Sequence, residues 1–140
     1  MLPETAGAWL SAEHVDRSAV FGDLDGDGDV DMIVAGIDGK LRVLRNDASG
    51  GHWLEVALHD GRKGSRNQRG LGARLRLTSG SSKQTRWIFS GGSYQAASST
   101  RAHFGLPTDS PVNLEVRWPD GTMQQMKDLA VDRLATIEHP

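Results

Sequence analysis

The sequence predicts an all-β protein made of antiparallel β-sheets, arranged as a sandwich or a partly open barrel, with a β-hairpin near its N-terminus. Its 140 residues include 17 glycines, many of them in DG, SG or GG pairs between short apolar stretches. Such pairs are typical of tight turns between strands. Several stretches also alternate apolar and polar residues, which is the period of a strand with one buried face. Both observations argue against a fold of long helices.

In the N-terminal part of the chain, four strands are expected. Two short apolar stretches, residues 18–22 and 31–36, flank an acidic segment. A third strand, residues 40–46, follows an Asp-Gly turn. The fourth, residues 52–59, alternates apolar and polar side chains. Because only a short loop joins the third strand to the fourth, we expect them to continue one sheet.

In the C-terminal part, six strands are expected, at residues 72–78, 83–90, 101–106, 112–118, 122–128 and 134–138. Leu114, Val116 and Trp118 share one face of their strand, opposite to Glu115. The turn Pro119-Asp120-Gly121 then provides a proline φ, a capping side chain and a glycine, so it predicts a hairpin. A short helix over residues 127–134 is the alternative to strand there.

The length fits one globular domain, or two small units. Composition changes near Ser49, which divides the chain into residues 1–49 and residues 50–140. With no cysteine, disulfides, thiolate zinc sites and a cysteine nucleophile are excluded. No apolar run reaches the roughly 18 residues of a membrane span. The opening residues carry Glu4 and no basic segment, so we expect no secretion signal in this chain.

The most specific motif is an acidic loop between the first two strands. Alternate positions of this loop are carboxylates, and Gly26 and Gly28 allow the backbone to curl around them. Hard oxygen ligands at this density suit Ca²⁺, and a folded chain needs a cation to hold so many like charges together. The expected metal residues are Asp23, Asp25, Asp27, Asp29 and Asp31, with Asp29 contributing its backbone carbonyl and the others their side chains.

An EF-hand is the alternative interpretation of this loop, since it also begins D-x-D-x-D-G. It requires a bidentate acid at position 12, where this sequence has Val34. The stretches on both sides of the loop are strand-like, whereas a helix follows an EF-hand loop. We therefore expect a calcium loop that links two strands; a solvated acidic turn without metal is the alternative.

Together with its surroundings, the loop resembles an FG-GAP or VCBS-type repeat. The matching residues are Phe21-Gly22, then DLDGDGDVD, MIVAG and Asp38-Gly39. The rest of the chain resembles the ASPIC/UnbV domain, through HWLEVAL from His52, NQRGLGARLRL from Asn67, SGGSYQAASSTRAHFGL from Ser90 and LEVRWPDG from Leu114. The resemblance implies an extracellular or periplasmic parent protein, calcium in the loop and no established catalytic activity. One repeat cannot close a propeller, which needs typically 4–8 blades.

A second charged feature is the segment 62–86, which has eight Lys and Arg and no Asp or Glu. The loop residues Arg62, Lys63, Arg66 and Arg69, together with Arg74 and Arg76 on one strand face, are a candidate site for a polyanion such as an acidic polysaccharide. A solvated loop that balances the acidic N-terminal part is the alternative. Nucleic acid is not expected, because the net charge is only -2.

These features favour a non-catalytic, calcium-stabilised interaction module over two alternatives. The first alternative is a carbohydrate-binding accessory module, in which Trp53, Trp87 or Tyr94 would stack on sugar rings. The second is a hydrolase, but the five histidines show no metal-ligand spacing and Ser93 lacks a nucleophile elbow. The partner is expected to be a protein or an acidic polysaccharide. We expect a monomer, with a dimer as the alternative.

Overall fold

The computed structural model describes residues 9–10, 12–48 and 50–140. Within those ranges it contains twelve strands and no helix, and about half of the chain is strand. The prediction about a secretion signal concerns residues 1–8, which lie outside the described ranges. The predicted unit boundary at Ser49 lies outside them as well. The strands are β1 (Asp16–Gly22), β2 (Asp31–Gly36), β3 (Leu41–Leu44), β4 (His52–His59), β5 (Arg74–Ser79), β6 (Ser82–Trp87), β7 (Gly92–Ser93), β8 (Ala96–Ala97), β9 (Ala102–Leu106), β10 (Val112–Arg117), β11 (Met123–Leu129) and β12 (Arg133–Glu138).

All ten predicted strands are present, and the all-β class is confirmed. The predicted hairpin of β10 and β11 forms, with Arg117 opposite Met123 beside the turn. Strand, not helix, continues to Leu129, and β12 begins at Arg133, so the helical alternative was wrong. Sequence reasoning missed the two-residue strands β7 and β8, which pair with each other in a small hairpin.

β1, β2 and β3 form an antiparallel sheet in that order, here called the N-terminal sheet. The acidic loop joins β1 to β2. On β3, Leu41 and Val43 are 73% and 63% exposed. This edge strand therefore presents apolar side chains that no other strand covers among the described residues.

Apart from the β7–β8 hairpin, the remaining strands form a β-sandwich. One sheet has the order β11-β10-β5-β6 and the other β12-β4-β9. Their facing sides share one buried apolar cluster, which follows the alternation of each strand. The cluster consists of Leu54, Val56, Leu58, Ala73, Leu75, Leu77, Ile88, Ala102, Phe104, Leu106, Val112, Leu114, Val116, Trp118, Ala135 and Ile137.

One strand pair departs from the antiparallel arrangement, and the expectation that β3 and β4 continue one sheet was wrong. β12 pairs with β4 in parallel, with Ala135 opposite Val56, so the sandwich is not entirely antiparallel. In addition, β3 and β4 belong to different sheets. The chain turns between them, because Gly50 and Gly51 both adopt positive φ, at 93° and 118°. Such a backbone does not continue a strand, so the short connection cannot carry one sheet into the next.

The segment that contains β7 and β8 packs against the N-terminal sheet. Backbone N–H groups of Ala19 and Phe21 in β1 donate to the hydroxyls of Ser93 and Ser98, at 3.0 and 3.2 Å. The Ser99 N–H donates to the Phe21 carbonyl at 3.1 Å. Backbone groups at the edge of β1 are therefore satisfied by the segment that contains β7 and β8.

Candidate calcium site

The acidic loop is shaped by hydrogen bonds from its own backbone to its carboxylates. Asp23 accepts from the N–H of Gly26 at 2.7 Å and from that of Gly28 at 3.1 Å. Both glycines have positive φ, at 82° and 95°, a conformation that other residues adopt only with strain. The carboxylate of Asp27 accepts from the Asp29 N–H at 2.9 Å. The chain therefore turns its acidic side chains inward around the curl.

Three of the five predicted metal residues converge in this curl. Carboxylate oxygens of Asp23, Asp25 and Asp27, one from each, all lie within 4.8 Å of one another. Three like charges at that separation repel one another, and a cation between them would reverse the sign of the interaction. Oxygen-only donors in a glycine-rich curl match the preference of Ca²⁺ for hard ligands. The residues present thus fit a calcium ion.

Asp29 and Asp31 lie apart from that group. Asp31 is only 1% exposed. Its two oxygens accept from the backbone N–H of Leu24 and of Asn46, each at 2.8 Å. Asp31 therefore ties the start of the loop to the chain that leaves β3. The side chain of Asp29 is not a member of the converging group.

A positive side chain lies beside the loop. Arg45 Nη1 is 3.8 Å from an oxygen of Asp25, and its Nη2 is 2.7 Å from Asp47. The hydrogen bond from Asp47 raises the pKa of Arg45 above its usual range. Arg45 therefore remains charged and offsets part of the loop's negative charge.

The loop also rests on the sandwich, a contact that the sequence did not predict. Gly28 lies so close to the indole of Trp53 that a Cβ added to Gly28 would overlap the ring. The Gly28 carbonyl accepts from His103 Nε2 at 2.7 Å. Trp53 on β4 and His103 on β9 stack with their planes 12° apart. The loop is thereby connected to the outer side of the β12-β4-β9 sheet.

The predicted basic residues lie partly in the loop after β4 and partly on β5. Arg62 is fully engaged: its guanidinium makes two 2.8 Å contacts with Asp60 and one of 2.9 Å with Asp120. Exposed Lys63, Arg66 and Arg69 follow in the same loop. Arg74 and Arg76 project from the opposite side of β5 to the buried Leu75 and Leu77. Arg76 Nη1 lies 3.6 Å from Glu115.

Asp60 and Arg62 form a structural ion pair. The side chain of Asp60 is only 7% exposed, and it also accepts from the Ser65 hydroxyl at 2.9 Å. Hydrogen bonding to Arg62 holds the pKa of Asp60 well below its usual range. The Thr122 N–H and side chain, together with Arg62, likewise lower the pKa of Asp120. Each of the three guanidinium nitrogens of Arg62 thus donates to an aspartate of this cluster.

These lowered pKa values predict acid sensitivity. An unfolded aspartate titrates near 3.9, so the cluster stabilises the fold above about pH 4 and loses that contribution as the pH falls through the lower folded values. We expect Asp60→Asn to destabilise the protein at pH 7, and the difference from wild type to shrink below pH 4. Urea unfolding at pH 7, 4 and 2.5 measures this. A difference that stays constant over the three pH values would contradict the assignment.

The three aromatic side chains named for the carbohydrate-binding alternative have different surroundings. Trp53 is covered by the loop, whereas Trp87 and Tyr94 are 56% and 55% exposed. Trp87 ends β6, and Tyr94 lies in the β7–β8 turn with the guanidinium of Arg17 at 5.1 Å from its ring. One exposed indole therefore remains on the sandwich sheet.

Two family models match overlapping parts of this chain. A family model described as ASPIC and UnbV matches residues 62–140, and one described as FG-GAP-like repeat matches residues 23–74. The chain is 33% identical over 128 residues to cartilage acidic protein 1 of Mus musculus, and equally to that of Homo sapiens. The matched region covers 84% of this chain and 18% of each relative. The chain thus corresponds to a small part of the relatives that it matches.

No helix long and apolar enough to cross a membrane occurs in the part of the chain that the structure describes.

Proposed function

The chain belongs to the ASPIC and UnbV family, and on that premise we propose that it is a calcium-stabilised, non-catalytic interaction module of an extracellular or periplasmic protein. The converging carboxylates of Asp23, Asp25 and Asp27 carry this proposal. The FG-GAP-like match over residues 23–74 and the similarity to cartilage acidic protein 1 support an extracellular parent.

Calcium would act on the fold through the connections of the loop. Asp23, Asp25 and Asp27 would hold the ion, while Asp31 ties the loop to the chain after β3. Gly28, which directly follows Asp27, contacts Trp53 and His103 of the sandwich. An ion that fixes the curl would therefore also fix the position of the loop on the sandwich.

A non-catalytic role is supported by what the polar side chains do. Ser93 and Ser98 accept from backbone N–H groups of β1. Three histidines pair with surface carboxylates: His52 with Asp132, His59 with Glu138 and His139 with Asp120. These interactions join strands or turns that are distant in sequence, which is a structural role.

Calcium is expected to raise the melting temperature, and chelator to lower it. A ligand that binds only the native state stabilises it by about 2.7 kcal/mol at a hundredfold excess over Kd. Asp27→Ala removes one of the three converging carboxylates and should abolish most of the shift. Differential scanning calorimetry with and without calcium measures it.

Asp29→Ala is the matched control, since it removes a neighbouring charge but not a member of the converging group. It should keep the calcium response. If Asp27→Ala responds to calcium as wild type does, or if Asp29→Ala loses the response equally, the proposed ligand set is wrong.

A further inference from the structure

The side of the β11-β10-β5-β6 sheet that faces away from the core is here called the outer face. Its side chains alternate with the buried ones, and the strand register places them in three rows across the sheet. The residues of the outer face are Met123, Arg117, Arg74 and Trp87 in the first row, Gln125, Glu115, Arg76 and Thr85 in the second, and Asn113, Thr78 and Lys83 in the third. Lys127 lies beside the third row, where it lines a cleft together with Asn113 and Thr78.

The outer face is strongly basic. Five of its side chains are cations and only Glu115 is an acid. Glu115 lies against Arg76 and accepts from the Gln125 amide at 3.5 Å. Among the described residues, the other four cations of this face make no ion pair. They are Arg74, Arg117, Lys83 and Lys127.

The first row brings together groups that would bind an anionic sugar. Arg74 and Arg117 are directly opposite each other on β5 and β10, and like charges in that position destabilise a sheet. Trp87, opposite Arg74 on its other side, is the exposed indole described above. These three residues line a cleft of about 240 Å³ with Gly72, Trp118 and Pro119. An anion between the two guanidinium groups would remove their repulsion.

A second cleft lies on the same face. It measures about 300 Å³, and its lining includes Arg76, Lys83 and Lys127. The first and third rows are four residues apart along each strand, which is about 13 Å at 3.3 Å per residue. Two cationic clefts at that separation fit a linear polyanion that crosses the sheet better than one small anion.

We propose that the outer face binds an acidic polysaccharide of the sulfated, uronate-bearing kind, with a sugar ring on Trp87 and its anionic groups at Arg74 and Arg117. Guanidinium groups bind such oxyanions through charge-assisted hydrogen bonds, and an indole offers an apolar surface to the C–H groups of a sugar ring. The proposal names the partner for the interaction module proposed above and therefore rests on it.

The outer face differs from the basic loop predicted from the sequence. Arg62 is neutralised by Asp60 and Asp120, and the loop offers no aromatic side chain between residues 62 and 69. The overall charge of -2 disfavours nucleic acid as the polyanion. Charge and an exposed aromatic residue coincide on the outer face.

Binding of the full chain to a heparin oligosaccharide, by titration calorimetry, tests the proposal. Arg74→Ser/Arg117→Ser should weaken binding about tenfold or more, the factor that corresponds to loss of one charge-assisted hydrogen bond. Trp87→Ala should weaken it severalfold at unchanged net charge. The control Lys63→Ser/Arg66→Ser/Arg69→Ser removes more charge but from the loop, and it should bind within twofold of wild type.

Equal affinities for wild type and the outer-face double variant would overturn the proposal, and so would a loop variant that is the weaker of the two. Single-stranded DNA that binds as tightly as heparin and is insensitive to Trp87→Ala would show general polyanion attraction instead. The calcium-dependent melting shift is measured on the same proteins. If that shift is present and heparin does not bind, the polysaccharide inference falls while the calcium-stabilised module stands.

Discussion

Gly28→Ala is expected to destabilise the acidic loop and its attachment to the sandwich by about 2–5 kcal/mol. The residue has φ of 95°, where a side chain costs about 1–2 kcal/mol. An added Cβ would also overlap the indole of Trp53, and such overpacking costs about 1–3 kcal/mol. Moving the loop away would break the hydrogen bond from His103 to the Gly28 carbonyl. Thermal unfolding and calcium titration of the variant measure both consequences.

Gly26→Ala separates the two causes. Gly26 has a similar φ of 82°, but a Cβ there would meet nothing within 4 Å. It should therefore show only the backbone strain and keep most of the calcium affinity. Equal losses in the two variants would mean that contact with Trp53 does not matter to the loop.

Trp118→Ala is expected to reduce the free energy of unfolding by about 3–5 kcal/mol, the range for removing a large aromatic side chain from a core. Trp118 is 2% exposed, and its Nε1 donates to Gln124 at 2.9 Å. Its ring contacts that of His139, with centroids 4.5 Å apart. The truncation would leave a cavity, and it would leave the amide oxygen of Gln124 without this hydrogen bond. Urea unfolding at neutral pH measures the loss.

Trp87→Ala is the matched control for that loss, since it removes the same side chain from an exposed position. It should change stability by less than about 1 kcal/mol, which also makes it suitable for the heparin experiment. Trp118→Phe should fall between the two, because it keeps the aromatic packing but loses the hydrogen bond to Gln124. If the Trp118→Ala protein were as stable as the Trp87→Ala protein, packing around Trp118 would not contribute to the free energy of unfolding.

Local patterns predicted the strands well, because alternation and turn chemistry are properties of neighbouring residues. Leu114, Val116 and Trp118 are all buried, as their spacing requires, and Pro119-Asp120-Gly121 forms the expected turn. The parallel pairing of β12 with β4 could not be predicted in this way, because alternation shows which face of a strand is buried but not which strand lies beside it.

The candidate calcium site was predicted for a similar reason, since its residues follow one another within a single loop. Asp23, Asp25 and Asp27 converge as expected. The pattern could not show which hydrogen bonds each carboxylate accepts. Asp31, for example, accepts from the backbone N–H groups of Leu24 and Asn46. It also could not show the contact with Trp53. The composition of residues 62–86 indicated a basic surface, but only the strand register joins Arg74 to Arg117.

The parallel β4–β12 pair determines when the sandwich can be completed during synthesis. Paired residues of these strands, such as Leu54 and Arg133, are separated by about eighty positions in the chain. At roughly 5–20 residues per second, β4 would wait about 4–16 seconds for its partner after leaving the ribosome. In that interval one edge of an apolar strand lacks its neighbour, and closing so long a loop is slow. The nascent chain should therefore remain loosely folded, and open to chaperones, until β12 has emerged.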